Sequence, residues 1–212
     1  MRILITAGPT REFFDTVRFI SNPSSGKMGY ALAAAAARRG HRVVLVSGPV
    51  SIAPPKGVAL VRVVSAAEMA AAAKRAFRQA DAGIFTAAVC DYRPQQCLAR
   101  KLKKQHRARV VKLEPTEDIA MSLGQRKGCR ITIGFAMEDH DARRHAADKL
   151  TRKRCDVVVL NGPENIGADW AAVEVLLADG EWLAPWQGTK RQLAGRIIRL
   201  TETLHAAKRG RA

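Results

Sequence analysis

Apolar residues fall along the chain in short, nearly unbroken runs: "RILITAG" (2–8), "HRVVLVSGP" (41–49), "VALVRVV" (58–64), "AGIFTAAV" (82–89), "RITIGFA" (130–136) and "CDVVVLN" (155–161). Helical stretches separate them at 27–40, 66–80, 116–126 and 139–153. Strands without polar alternation are buried on both faces, and interleaved helices predict a parallel sheet covered on both sides. Gly40 ends the first helix, while Ser65 and Thr116 stand where N-caps open the next two. The pattern then changes. Residues 171–186 alternate around Asp179-Gly180, a hairpin signal, and a last helix (about 189–208) runs into a basic tail, 206–212, expected to fray. The whole chain, 1–212, therefore reads as one doubly wound α/β domain with an antiparallel C-terminal hairpin.

Two segments do not fit a strand or a helix, 8–26 and 90–115. Both follow carboxyl ends of strands, where ligands sit in open α/β sheets, and loops this long are commonly functional. The first carries Arg11, Glu12, Asp15, Arg18 and Asn22 among Phe13, Phe14, Val17, Phe19 and Ile20, the composition of an ordered loop with placed polar groups.

Charge narrows the partners. Lys and Arg number 36 against 19 Asp and Glu, a net charge of +17, which predicts affinity for anions. Aromatic residues are only 5% of the chain, leaving few stacking platforms for single strands, so a phosphate-rich substrate is favoured over nucleic acid. No apolar run reaches the roughly 18 residues of a membrane span. With no leader pattern at "MRILITAGPT" and four cysteines lacking metal spacing, the cytoplasm is the expected location.

The candidate chemistry begins at "SNPSSGKMG". It matches neither a P-loop nor a dinucleotide fingerprint, and the second strand ends Ser47-Gly48-Pro49 without a ribose-binding acid, which disfavours an NAD(P) oxidoreductase. Its local physics still suits an anion: glycines at 26 and 29, hydroxyls at Ser24 and Ser25, the charge of Lys27, and the start of a helix. In the second loop Asp91 stands just past a strand, placed to accept from a ribose or simply to cap a turn. Arg100, Lys101, Lys103, Lys104, Arg107, Arg109 and Lys112 follow, either a solvated face or a flap over polyphosphate. Lys149 and Lys153 share one helix face, a repulsion that an intervening anion relieves. A non-catalytic nucleotide- or RNA-binding protein would use the same basic loop.

Taken in order, "ITAGPTREFFDTVRFISNPSSGKMG", "AAVCDYRP", "KLKK", "GFAMED" and "KLTRKRCDVVVLN" resemble the phosphopantothenate–cysteine ligases of coenzyme A biosynthesis, in the bacterial CTP-dependent form. The resemblance implies a Rossmann-like fold, a homodimer, CTP and Mg²⁺, and the substrates 4′-phosphopantothenate and cysteine, joined through an acyl-cytidylate. It implies a catalytic role for Asn22, which would hold the substrate carboxyl, and for Lys101, which would stabilise charge. It further implies that Asp91, Glu117, Asp118, Ile119, Phe135, Lys149 and Lys153 bind the nucleotide. Arg18, Ser24, Ser25, Gly26, Lys27, Met28, Gly29 and Lys103 would face phosphate or substrate; it names no metal ligands. Two departures stand out: Cys90 where the family has alanine, and "PTED" in place of an "NPD"-like turn. Many bacterial relatives carry a flavin-dependent decarboxylase ahead of this domain. Here the sequence starts at the synthetase strand, which implies no flavin in these residues; they are either a stand-alone ligase with a separate flavin-dependent decarboxylase or one domain of a longer protein.

Overall fold

The computed structural model describes residues 1–104, 106 and 108–210. The first strand, β1 (Arg2–Ala7), leads into a small hairpin, β2 (Arg11–Phe13) and β3 (Phe19–Ser21), before α1 (Lys27–Arg38). Next come β4 (Arg42–Ser47), β5 (Val58–Arg62), α2 (Ala66–Phe77) and β6 (Ala82–Phe85). A second ribbon, β7 (Tyr92–Pro94) with β8 (Leu113–Pro115), precedes α3 (Ile119–Gly124), β9 (Ile131–Met137), α4 (Ala142–Arg152) and β10 (Val157–Asn161). The chain closes with β11 (Trp170–Leu177), β12 (Trp182–Thr189) and α5 (Lys190–Arg209).

Eight strands make one sheet in the order β12-β11-β10-β9-β6-β1-β4-β5. The six from β10 to β5 are parallel, whereas β11 and β12 add as an antiparallel edge. Counted along the chain, the parallel strands follow the 3-2-1-4-5-6 order of a Rossmann-like sheet, so the order reverses between β1 and β6. Chains leaving these two strands part to opposite sides and open a crevice at their carboxyl ends. Both long loops leave from that place.

The apolar runs are explained by burial on two faces. Ile3 and Ile5 join Leu32 of α1 and Ile197 of α5 in one core, while Leu4 between them joins Met69 and Phe77 of α2 in another. A third cluster packs Ala146 and Leu150 of α4 on Val158 and Leu176. Each fully buried Leu or Ile contributes about 1.5–3 kcal/mol.

Several expectations are corrected. The loops 8–26 and 90–115 are not structureless, since each contains a short antiparallel ribbon. Ser65 caps α2 as expected by accepting from Glu68 N (3.2 Å), but α3 starts later than position 116. Its cap is Asp118, which accepts from Met121 N at 3.0 Å, and Thr116 instead donates to Cys90 O at 2.5 Å. The tail expected to fray from 206 stays helical through Arg209, where Gly210 N still bonds Ala206 O at 3.0 Å. Arg107 of the basic run and residues 211–212 lie outside the described residues. No helix among the described residues is long and apolar enough to cross a membrane.

Candidate functional site

Two adjoining cavities of about 360 and 260 Å³ open over the crevice, and Ala87, Ala88, Phe135 and Met137 form a wall common to both. The larger lies over the start of α1, and the smaller lies between β6, β9, α3 and α4.

In the larger cavity the lining begins with Asn22. Its Nδ2 donates to Ala88 O (3.2 Å) and Val89 O (3.1 Å), which fastens the end of the first loop to the chain leaving β6. Gly26 then takes a left-handed conformation (φ 75°) as the N-cap of α1, and no side chain caps the helix. Among the described residues the Ser24 and Ser25 hydroxyls make only long contacts, accepting from Gly26 N (3.4 Å) and Lys27 N (3.5 Å), so they and the helix start line the cavity largely uncommitted. Met28 completes this part of the lining. Lys27 Nζ lies 2.7 Å from Gly167 O and 2.6 Å from Asp169 Oδ1, and this hydrogen bond holds the Asp169 carboxyl below its usual range. Gly29 serves packing and lines neither cavity: a Cβ there would sit 2.4 Å from Ala7 Cβ and 2.6 Å from Thr86 Oγ1.

The smaller cavity brings together Asp91, Glu117, Asp118, Ile119, Phe135, Lys149 and Lys153. Lys149 Nζ reaches Phe135 O and Glu138 Oε1, both at 3.3 Å, and Lys153 Nζ pairs with Asp118 Oδ2 at 2.9 Å. Burial, and then the charge of Lys153, push the Lys149 ammonium down, a sign that two cations crowd a partly desolvated space. Glu117 is drawn to Lys74 on α2 (2.6 Å), which holds its carboxyl low. Cys90 is buried behind this wall, with Sγ 3.5 Å from Thr10 O, and desolvation raises its thiol. That is the environment of an inert cysteine.

The structure does not bring Lys101, Lys103 or Arg18 into either cavity. Arg18 Nη2 instead donates to Leu102 O at 3.0 Å.

Residues 1–204 match the family DFP, the DNA/pantothenate metabolism flavoprotein C-terminal domain. The chain belongs to this family. Coenzyme A biosynthesis bifunctional protein CoaBC of Bacillus subtilis (strain 168) is 44% identical to it over 183 residues, 84% of this chain and 45% of that protein. A cysteine/cysteine sulfinic acid decarboxylase from an unknown prokaryotic organism is 47% identical over 169 residues, 79% of this chain and 47% of that protein. The chain thus spans about half the length of the curated relatives it matches. Among solved structures, the crystal structure of the C-terminal domain of CoaBC superposes with a TM-score of 0.83 at 39% identity, covering 96% of this chain and 94% of that one.

This DFP domain also lines its larger cavity with residues not anticipated as site residues: Thr86, Met137, Asn165 and Lys190. Thr86 Oγ1 is tied to Thr6 O at 2.7 Å and steadies the crevice at its switch point. Lys190 Nζ donates to Asn165 O at 2.9 Å, and burial, then the nearby Lys27, push its ammonium down. A signal for Lys190 was present in the sequence. Lys190 opens α5 and Lys27 opens α1, and a cation at the first helical position opposes the helix dipole. In the structure Lys27 is met by the Asp169 carboxylate at 2.6 Å and Lys190 by Asn165 O at 2.9 Å.

Proposed function

We propose that this chain is a ligase that joins 4′-phosphopantothenate to cysteine at the expense of CTP. The observation that carries the reading is the shared wall: two cavities, one ending in Lys27 and Lys190 and the other in Lys149 and Lys153, meet at Ala87, Ala88, Phe135 and Met137. A phosphorylated acid in the larger cavity and a nucleoside triphosphate in the smaller would meet there, beside Asn22.

The chemistry follows from that meeting. The pantothenate carboxylate attacks the α-phosphorus of CTP, expelling pyrophosphate and leaving an acyl-cytidylate. The cysteine amine then attacks the acyl carbon, forms the amide, expels CMP and loses its proton. Asn22 orients the carboxyl, the backbone of 117–119 reads the base with Phe135 against it, and Asp91 accepts from the ribose. Lys149 and Lys153 exchange Glu138 and Asp118 for the triphosphate. Mg²⁺ enters as part of the nucleotide substrate, whose phosphate oxygens hold it and whose charge it offsets. Neither relative's name assigns an activity to the half that this chain matches, so the assay decides. Incubation with 4′-phosphopantothenate, cysteine, CTP and Mg²⁺, with ATP in parallel, is expected to release CMP and pyrophosphate. Absence of product with every nucleotide would sink the reading.

Lys190→Met tests the orientation of the acid. Removing one charged donor from a phosphate costs about tenfold in affinity or more, so the KM for 4′-phosphopantothenate is expected to rise about tenfold with the KM for CTP unchanged. Steady-state kinetics with each substrate varied checks both values.

A homodimer is part of the same proposal. Val17 (53%), Phe19 (40%), Tyr92 (56%) and Leu113 (47%) expose apolar side chains on the two neighbouring ribbons, more than a lone polar surface needs. Val17→Glu with Leu113→Glu is expected to convert dimer to monomer in sedimentation, and an unchanged mass would remove these ribbons from the interface. The four cysteines are free thiols, which suits the cytoplasm, where a flavin-dependent decarboxylase would take the product onward.

A further inference from the structure

Asp15 is fully buried in the turn between β2 and β3, although a short loop offers little reason to bury a carboxylate. Its two oxygens have separate tasks. Oδ1 accepts from Val17 N (2.8 Å) and Arg18 N (2.7 Å), which closes its own turn. Oδ2 crosses to the second loop and accepts from Leu102 N at 3.1 Å. Arg18, 3.7 Å from the same oxygen through Nη1, sends Nη2 to Leu102 O at 3.0 Å. Both main-chain polar groups of Leu102 are therefore held by the 15–18 turn, in a stretch with no strand or helix of its own. A further bond, Leu98 N to Phe14 O at 3.0 Å, ties the same stretch to the same hairpin. Burial pushes the Asp15 carboxyl up, but its main-chain donors outweigh this and keep it ionised.

Leu102 sits between Lys101 and Lys103. We propose that Asp15 is a positioning residue for Lys101: by gripping the main chain of the next residue, Leu102, it sets where that ammonium group stands. The inference rests on the ligase reading for the value of Lys101 to the reaction, while the grip itself stands on geometry.

Asp15→Asn separates the two tasks. The amide oxygen still accepts from Val17 and Arg18, but an NH₂ now faces the Leu102 N–H, donor against donor. Limited trypsin digestion of the full chain, scored at the bond after Lys103, is expected to run about tenfold faster than in the wild type, as losing one charge-assisted bond allows. The melting temperature is expected to stay within a few degrees. In the ligase assay kcat is expected to fall about tenfold with the KM for CTP unchanged. In the double variant with Lys101→Ala the loss is expected to equal that of Lys101→Ala alone, because the two act in series. Leu102→Pro deletes the N–H from the other side without touching the hairpin, and it decides the question if Asp15→Asn does not fold. Cleavage at the wild-type rate in the folded variants would overturn the grip. Faster cleavage with unchanged kcat, or losses that multiply with Lys101→Ala, would overturn the positioning role. A wild-type protein without ligase activity would fail the functional reading instead, and the digestion would still decide the grip.

Discussion

Asn22→Asp is expected to lower ligase turnover about 10²-fold while the fold survives, because a group misplaced by a fraction of its length beside reacting atoms costs that much. The Asn22 amide bridges two carbonyls, Ala88 O and Val89 O, at the wall between the cavities. An aspartate would set a carboxylate against both carbonyl oxygens and beside the incoming substrate carboxylate. It must swing away, which empties the position from which the acid is oriented, or take up a proton, which leaves one donor where the amide has two. Asn22 is exposed and belongs to no core cluster, so the melting temperature is expected to change by a few degrees at most. Single-turnover measurement of pyrophosphate release checks the first chemical step directly. Wild-type release in the variant would take Asn22 out of the mechanism.

How much of this site the sequence disclosed depends on the range of the interaction. The six parallel strands were legible because burial on both faces leaves unbroken apolar runs such as "CDVVVLN". Asp91, Lys149 and Lys153 could be picked out from a strand end and a helix face, whereas Glu117 to Ile119 and Phe135 came only from the family resemblance; all of them line one cavity. Lys101, Lys103 and Arg18 were harder, because their setting depends on a contact 84 positions apart in sequence. Asp15 stood out only as one of five polar groups in an apolar loop, since nothing local distinguishes a buried acceptor for Leu102 from a turn-forming aspartate. The cap of α3 was misplaced by two residues because Thr116 and Asp118 are both good caps, and Thr116 had a better use at Cys90 O. Lys190 broke the dipole rule in plain view, but among 36 basic residues one more lysine carried no weight.

The other large effect belongs to the opposite end of the sheet. Asp156 stands just before β10, and its Oδ1 accepts from Lys208 Nζ (2.6 Å) and Lys127 Nζ (2.9 Å). Its Oδ2 accepts from Thr132 N (2.8 Å) and Thr132 Oγ1 (3.2 Å), so one carboxylate joins β9, the end of α5 and the turn after α3. Asp156→Ala leaves a buried N–H without its acceptor and two ammonium groups without their anion. The expected cost is about 2–3 kcal/mol, below the usual range for a broken buried pair because both lysines reach water. For a chain of this length that is roughly 5–10 °C in melting temperature. The pH dependence has a fixed sign. Burial pushes the Asp156 carboxyl up, but Lys208, Lys127 and Thr132 together outweigh it and hold it below its ordinary value. A depressed carboxylate stabilises fully above its unfolded pKa of about 3.9 and loses that contribution as pH falls through the folded value. The gap between wild type and Asp156→Ala in urea unfolding is therefore expected to stay constant above about pH 5 and to close in more acidic buffer. A gap that persists unchanged into acid would mean that packing around the side chain, and not its charge, holds the end of α5 to the sheet.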